Sequence, residues 1–552
     1  MDGAVSSGAR GSATKANPVV IIAFDAMDSD TALALAAEGT MPVLNQLLAR
    51  MARCPLRHSP GLFVTTIWAD FATGLRPDRH RFHCWDEVDV ATYRRRLTSP
   101  EDMRGTPFWR RLAAAGHATA SIDVPHNVVR DCGDPDRATA LEIAEWACHD
   151  RHLGLQIFPP AEHGAVLAEF GRHPLLGMEG VEPRHFAPDD YVYRRGAHRT
   201  PDELKQLAAT LLEYTPLKTR LIQKYLARRR WDLFVAVYGE AHAAGHQFWH
   251  LHDTSHPRFD PAIQRHIGGD PIRRIYSRLD GELGQLLAAM DPDATLLVML
   301  SHGMAGHHDG THLLEAVLRR IELASAGPGE AAAQRLRTAG DALARSALGL
   351  IRPTARRDLA SASERAGRRF FLAPNNTVYG GVRLNLIGRE PNGRVSTDEA
   401  DSLMAALECD LLDLVNTRTG RPAILGVTRA ERWYRRDATD TLPDLFLDWD
   451  RSGPVESVRS DKIGLVEIPY DHWRTGDHRA RGLMLASGPG IAAGASLPGI
   501  AMEDIAASIL KRFGEDVSEL DGRPVSWLAD ARNSLSALQG GEGGGEVGFS
   551  NI

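Results

Sequence analysis

The sequence predicts an α/β protein in which a mostly parallel central sheet is sandwiched between helices. Short apolar runs of strand length alternate along the chain with longer segments of helical periodicity, and polar residues able to bind a metal follow several of those runs. Parallel sheets of this kind are covered by helices, and their ligands lie where the strands end. With 552 residues, 43% of them hydrophobic, the chain has ample material for a large core.

Six apolar runs have the length of buried strands. They span residues 18–24, 118–124, 232–238, 295–300, 444–449 and 482–487. Five longer segments have the apolar spacing of helices that lie on a sheet. They span residues 31–51, 201–229, 271–290, 398–414 and 503–513. The alternation of the two kinds of segment is what a helix-covered parallel sheet requires.

We expect one large domain rather than two separate ones. It spans residues 17–530, between flexible tails at 1–16 and 531–552 that lack the apolar residues of a packed core. Helical insertions are predicted near residues 150–200 and 324–368. The second of these segments is rich in alanine and arginine and is interrupted by Pro-Gly and Arg-Pro pairs.

The composition excludes several classes of protein. The net charge of -7 arises from 64 basic and 71 acidic residues of interspersed sign, so nothing indicates a nucleic-acid partner. No apolar stretch has the length of a membrane span, and the N-terminus lacks the pattern of a signal peptide. The five cysteines show no CxxC spacing, which argues against a thiolate zinc site and a disulfide framework. We therefore expect a cytoplasmic protein without membrane contacts, and the sequence leaves its oligomeric state open.

Polar residues suited to metal binding follow three of the predicted strands and precede the last one. They are Asp25 after the first strand, Glu240, His242 and His246 after the third, Ser301 and His302 after the fourth, and His478 before the last. Carboxylates, neutral imidazoles and hydroxyls are ligands that zinc and similar divalent ions accept. Each residue alone has an ordinary structural explanation, but their ordered combination predicts a metal site.

Five segments in this order carry a resemblance to a known family. They are Val-Val-Ile-Ile-Ala-Phe-Asp, Val-Thr-Thr-Ile-Trp-Ala-Asp-Phe-Ala-Thr-Gly-Leu-Arg-Pro, Glu-Ala-His-Ala-Ala-Gly-His, Ser-His-Gly-Met and Gly-Asp-His-Arg-Ala-Arg-Gly-Leu-Met-Leu-Ala-Ser-Gly-Pro-Gly. The set resembles the alkaline phosphatase superfamily, nearest to its type I phosphodiesterase and nucleotide pyrophosphatase branch. The resemblance covers residues 17 to 515 and implies an alkaline phosphatase-like fold.

The resemblance also implies roles for individual residues. In the family, two neighbouring zinc ions hold the nucleophile and the leaving oxygen. By position, His246 and His478 would bind one ion, and Asp25 and His302 would bind the other.

His242 and Ser301 stand where the family has aspartates, so the site carries less negative charge than the family pattern. Glu240 and Asp309 are possible additional ligands. His307 and His308 with Asp309 could also supply replacement ligands, although a solvated loop is the favoured interpretation of this segment.

The altered ligand set leaves two interpretations of the metal site open. His242, His246 and His478 can form a three-histidine site for a single ion with an open position. Alternatively, two ions bind, the second of them weakly. We expect zinc, with manganese or iron as alternatives.

The attacking group is also left open by the sequence. Counting back from Trp68 by the family spacing leads to Val64, which has no nucleophilic atom. Thr65 is the first candidate and Thr66 the second, because both lie near a helix N-terminus that favours a phosphate. If neither attacks, the attacking group would be a metal-bound hydroxide. Arg76 is a candidate phosphate contact, although stabilising the following turn is the alternative.

The resemblance implies a phosphoric ester hydrolase that acts on a small phosphorylated substrate, with a phosphodiester or pyrophosphate bond favoured. A catalytically silent member that only binds a phosphorylated ligand is one alternative. Hydrolysis of a phosphonate or a sulfate ester is another, although the Cys/Ser-x-Pro-x-Arg pattern of formylglycine sulfatases was not found.

Overall fold

A computed structural model of the chain describes residues 16–129, 139–148, 153–172, 199–327, 362–376, 378–437, 440–469 and 474–530. Both predicted tails lie outside these ranges, apart from residue 16. Most of the predicted insertion near 324–368 and much of the one near 150–200 also lie outside the described residues.

The described residues form twenty strands. They are β1 (Val19–Phe24), β2 (Ala52–Arg57), β3 (Asp86–Val88), β4 (Arg95–Leu97), β5 (Thr119–Ile122), β6 (Ala140–Ala144), β7 (Gln156–Phe158), β8 (Leu233–Tyr238), β9 (Thr295–Leu300), β10 (Gly303–Gly306), β11 (Phe370–Leu372), β12 (Tyr379–Leu384), β13 (Val415–Asn416), β14 (Ile424–Arg429), β15 (Leu445–Trp449), β16 (Ser457–Ser460), β17 (Gly464–Glu467), β18 (Gly476–Arg479), β19 (Gly482–Ser487) and β20 (Ile500–Ala501).

Fourteen α-helices lie in the same part of the chain. They are α1 (Ser29–Ala37), α2 (Pro42–Arg50), α3 (Phe63–Thr73), α4 (Pro77–His80), α5 (Phe108–Ala114), α6 (Glu162–Phe170), α7 (Pro201–Leu226), α8 (Glu240–His252), α9 (Pro261–His266), α10 (Pro271–Ala288), α11 (Thr311–Ser325), α12 (Thr397–Leu412), α13 (Met502–Arg512) and α14 (Ser526–Ala529). None of the described helices has both the length and the apolar content needed to cross a lipid bilayer.

The central sheet has nine strands in the order β20-β2-β19-β9-β1-β8-β5-β6-β7. The five strands β9, β1, β8, β5 and β6 are parallel, whereas β19 and β7 run against their neighbours. This arrangement confirms the predicted α/β fold with a mostly parallel sheet. Five of the six predicted strands lie in it.

The sixth predicted strand, residues 444–449, forms as β15 but belongs to a different sheet. It pairs with β12 and β14 in a separate four-stranded antiparallel sheet. The predicted strand is therefore present, but its apolar pattern carries no information about which strands it pairs with.

The predicted helix over residues 31–51 is two helices. Gly39 between α1 and α2 has φ 85°, a left-handed conformation that ends a helix, and Pro42 opens the next one. The break turns α2 against α10, where the Asp280 carboxylate accepts hydrogen bonds from the first amide groups of α2.

Both faces of the central sheet are buried, which is why its strands are apolar throughout. Ile22 and Phe24 of β1 pack into one hydrophobic cluster, whereas Ile21 and Ala23 pack into the cluster on the opposite face. Alternate side chains of a strand point to opposite faces, so two helix layers share this one sheet.

Helix α13 carries a partly buried acidic side chain that makes stability depend on pH. Burial, followed by the nearby charge of Asp70, raises the pKa of Glu503 to about 8. Because this pKa lies above the ordinary value of 4.5, Glu503 stabilises the fold at low pH and loses that contribution as pH rises to about 8. We expect the free energy of unfolding to fall by up to about 1.4 kcal/mol per pH unit within this window.

Glu503→Gln removes the titrating group and keeps the shape of the side chain. The variant should lack this part of the pH dependence and should be more stable than the natural chain above about pH 8. Denaturant unfolding of both proteins across the window measures the difference. Parallel stability curves at every pH would contradict the assignment.

Candidate metal centre

Three neighbouring strands of the central sheet end at the same level and place the first site residues. Phe24 at the end of β1 is in register with Tyr238 of β8 and with Leu300 of β9. Asp25 and Ser301 follow two of these ends directly, and α8 begins just after the third. The sheet therefore brings together polar residues that are 276 positions apart, as the hydrogen bond from Ser301 to Asp25 shows.

Helix α8 presents two histidines on one face, as their spacing of four residues requires. His242 and His246 are buried, and their Nε2 atoms lie 2.9 Å apart. Their ring centroids are 4.8 Å apart.

The ribbon of β10 and β18 brings in the third histidine. Met304 is paired with His478, whose ring centroid lies 4.8 Å from that of His242 and 4.7 Å from that of His246. This approach needs a glycine at position 476, because a Cβ atom there would lie 2.3 Å from the carbonyl oxygen of Gly245 in α8. The ribbon thus packs directly on the helix.

Asp25 lies behind His242 and fixes its orientation. Its Oδ2 is 2.6 Å from His242 Nδ1, and its Oδ1 accepts a hydrogen bond of 2.8 Å from Trp68 Nε1 of α3. Burial by itself would raise the pKa of Asp25, but His242, His302 and the Trp68 hydrogen bond lower it well below the usual range. Asp25 is therefore an anion that accepts hydrogen bonds.

The partners of the two α8 histidines determine which nitrogen atoms carry protons. Asp25 can only accept, so His242 Nδ1 is the donor and Nε2 keeps its lone pair. The carbonyl of Gly476 can also only accept, so His246 donates to it from Nδ1 at 2.8 Å and keeps its lone pair on Nε2. When both rings are neutral, their Nε2 lone pairs lie on the facing edges 2.9 Å apart, and a shared cation stabilises that arrangement. The Arg474 guanidinium also approaches this pair, 3.4 Å from His246 Nε2.

His302 contacts the three histidines through His478. Its Nε2 is 2.9 Å from His478 Nδ1, and its Nδ1 is 3.0 Å from Ser301 Oγ. Burial, followed by the neighbouring His242 and His58, lowers the pKa of His302 to about 3, against the opposing effect of Asp25. His302 is therefore a neutral imidazole.

Ser301 completes the connection between the strand ends. Its hydroxyl accepts from the Ala26 amide at 3.2 Å and lies 3.4 Å from Asp25 Oδ1. The structure thus brings together six of the sequence-predicted residues. They are Asp25, His242, His246, Ser301, His302 and His478.

The two threonine candidates have different environments in the first turn of α3. Thr65 Oγ1 donates to Asn376 Oδ1 at 2.7 Å, a partner outside its own helix. Thr66 Oγ1 instead donates to the Leu62 carbonyl at 3.1 Å, one turn back. The Thr66 hydroxyl is therefore occupied locally, whereas the Thr65 hydroxyl faces another segment.

The two additional ligand candidates lie in surroundings of their own. Glu240 is buried at the start of α8, where burial raises its pKa and its main charged neighbours are Lys218 and Asp123. Asp309 is paired with His307 at 2.9 Å. The interpretation of this segment as a solvated loop was wrong, because the side chains of His307 and Asp309 are only 1% and 4% exposed.

Arg76 lies in the turn that follows α3 and connects this turn to two distant segments. Its guanidinium donates to the Trp433 carbonyl and lies over the Tyr434 ring, 5.9 Å from the centroid, and its backbone amide donates to Asp521. These contacts support the turn-stabilising alternative, and a phosphate contact by Arg76 stays a prediction.

Sequence reasoning missed three residues close to the centre. Arg474 Nη1 lies 3.4 Å from His246 Nε2. His58 stacks at 5.7 Å on Phe63, which in turn contacts the His302 ring. Asn376 Oδ1 accepts the hydrogen bond of the Thr65 hydroxyl. No local pattern marks any of them, since a lone arginine, histidine or asparagine in a loop is common; only proximity in the fold identifies them.

The chain is similar in sequence to a known family. The sequence model of the type I phosphodiesterase / nucleotide pyrophosphatase family matches residues 19–379. No curated protein matches the chain.

Among solved structures, murine ectonucleotide pyrophosphatase / phosphodiesterase 5 is 12% identical, with a TM-score of 0.45 over 93% of this chain and 99% of that chain. Phosphonoacetate hydrolase from Sinorhizobium meliloti 1021 is 13% identical, with a TM-score of 0.48 over 90% of this chain and 95% of that chain.

The family match covers more than half of the sequence and includes four of the five motif segments. Enzymes of this family act on small phosphorylated substrates and generally use divalent metal ions. The chain therefore belongs to the type I phosphodiesterase / nucleotide pyrophosphatase family, and its reaction is the metal-dependent hydrolysis of a phosphate ester.

Proposed function

We propose that the chain hydrolyses a phosphodiester or pyrophosphate bond at the centre formed by His242, His246 and His478. The observation that carries this proposal is the close approach of His242 Nε2 and His246 Nε2, which lie 2.9 Å apart in a buried site. Together with His478 they form a group whose donor atoms lie within 4.8 Å of one another. This donor set fits one divalent cation with an open position.

Zinc is the cation that we propose for this centre, because an imidazole-rich set suits zinc better than magnesium or calcium. When bound, a divalent cation supplies Lewis acidity at the phosphate oxygens. Asp25 and Gly476 O hold the two α8 histidines in the tautomer needed for binding.

His302 and Ser301 position the residues of the histidine centre. His302 is neutral and hydrogen-bonded to His478, so it orients that ring. The Ser301 hydroxyl links Asp25 and His302 and keeps both in place.

Thr65 is the attacking group that we propose. Its hydroxyl is oriented by Asn376, and it lies in the first turn of α3, whose N-cap residue Leu62 provides no side-chain cap. The amide groups of an uncapped first turn attract a phosphate, so the substrate phosphorus would lie near Thr65 Oγ1. Phe63 in the same turn contacts His302, which places this turn beside the histidines.

Arg474 provides positive charge at the edge of the centre. Its guanidinium lies 3.4 Å from His246 Nε2, in a partly buried position. A guanidinium matches the geometry of phosphate oxygens, so we assign Arg474 to binding the substrate phosphate.

The test measures metal content and turnover together. Protein purified without chelator should contain zinc by elemental mass spectrometry and should hydrolyse bis(nitrophenyl) phosphate faster than nitrophenyl phosphate. Turnover should disappear on chelation and return with zinc. Metal-free protein that binds a phosphorylated ligand without turnover would instead support the silent-binder alternative.

A further inference from the structure

A second group of metal-type ligands lies outside the histidine centre. His307 Nε2 is 2.9 Å from Asp309 Oδ2 and 3.3 Å from Asp477 Oδ2. All three side chains are at least 96% buried, and their donor atoms lie within 4.8 Å of one another.

Each carboxylate of this group is held in the same way. Asp309 Oδ1 accepts from the Thr311 amide at 2.8 Å, and Asp477 Oδ1 accepts from the His478 amide at 2.9 Å. In both residues the backbone anchors one oxygen and turns the other towards His307. Two carboxylate oxygens and one imidazole nitrogen thus converge on a small volume.

Strand alternation places this group on the opposite face of the ribbon from His478, and the two groups adjoin at Asp477, whose Oδ1 lies 4.0 Å from His478 Nε2. In the β10 and β18 ribbon, Ala305 pairs with Asp477 and Met304 pairs with His478. Successive side chains of a strand point to opposite faces, so the ribbon directs His478 towards α8 and Asp477 away from it. The His307 amide continues the ladder by donating to Thr475 O at 3.1 Å, which places the His307 side chain on the face of Asp477.

The donor atoms of the group suit a cation. Two carboxylate oxygens and one imidazole nitrogen, all from buried side chains, are ligands that a divalent ion accepts.

We propose that His307, Asp309 and Asp477 form a second divalent-cation site. Two hard oxygen ligands and one imidazole suit Mn²⁺ or Zn²⁺ better than the all-oxygen preference of Ca²⁺. Asp477 and His478 are adjacent on β18, so a cation bound here also fixes the strand that carries the third histidine of the proposed hydrolytic centre. The site does not depend on that centre being correctly assigned.

The test counts bound Mn²⁺ in chelator-treated protein by the loss of the free-ion electron paramagnetic resonance signal. His246→Ala removes a ligand of the histidine centre and should retain one tightly bound Mn²⁺. The double variant His246→Ala/Asp309→Asn should retain none. The matched control His246→Ala/Asp450→Asn changes another buried aspartate, on the loop after β15, and should still retain one.

Absence of bound Mn²⁺ in folded His246→Ala would overturn the proposal, as would one equivalent surviving in the double variant. If His246→Ala does not fold, single variants of the natural chain test the proposal instead. Asp309→Asn and Asp477→Asn should then each bind one equivalent fewer than the natural chain, and an unchanged count would mean that His307 only forms an ion pair with the two aspartates. An unchanged count in His246→Ala compared with the natural chain would count against the histidine centre instead.

Discussion

His246→Ala should abolish zinc binding at the histidine centre and reduce kcat/KM for a phosphodiester by roughly 10³-fold or more. The variant removes one of the two opposed Nε2 atoms and leaves Gly476 O without its donor. A bound cation stabilises the charge of the transition state by several kcal/mol. Each 1.4 kcal/mol of this stabilisation that is lost lowers the rate about tenfold. Elemental analysis and steady-state kinetics on the same preparation measure both effects.

His252→Gln is the matched control for this change. His252 is the last residue of the same helix, where its Nδ1 lies 2.7 Å from Asp270 Oδ2, away from the histidine centre. The control should keep the zinc content and the rate of the natural chain. Full activity of His246→Ala, with zinc retained, would show that the centre lies elsewhere.

Thr65→Val should reduce phosphodiester turnover by roughly 10³-fold and leave zinc binding unchanged. Valine has nearly the shape of threonine, so the fold should be kept, at a cost of about 1–3 kcal/mol because Asn376 Oδ1 loses the Thr65 donor. Separate measurements of zinc content and kcat distinguish this result from a general loss of structure. Thr65→Ser should restore part of the rate because it returns a hydroxyl.

Two companion variants in α3 sharpen this test. Thr73→Val removes a buried hydroxyl that donates to the Ala69 carbonyl at 2.7 Å near the end of the helix, and it should behave like the natural chain. Thr66→Val tests the second candidate, whose hydroxyl is bonded within its own helix, and we expect near-natural turnover. An active Thr65→Val with an inactive Thr66→Val would transfer the nucleophile assignment to Thr66.

The fold was predictable from the sequence where local pattern and burial coincide. The runs that became β1, β8 and β9 are apolar throughout because both of their faces are covered, and such runs have few alternatives to buried strands. Which strands pair with one another was not predictable. β15 has the same kind of apolar pattern but pairs with β12 in another sheet, since pairing depends on contacts between distant segments.

Some residues of the candidate site were likewise predictable from the sequence, and others were not. Residues directly after strand ends, such as Asp25 and Ser301, were predictable because parallel strands end at one edge of a sheet. Arg474 and Asn376 were not, because each reaches its partner from a loop that no sequence pattern ties to the strands.

The sequence by itself determined the family, the α/β fold class and the set of histidines and carboxylates available for metal binding. Only the tertiary structure decided how these residues are divided. It orients Asp25 towards His242, and it separates His478 from Asp477 on the two faces of one strand. The physical reason is that composition and spacing supply the ligands, whereas which lone pairs converge depends on hydrogen bonds and register between segments that lie far apart in the chain.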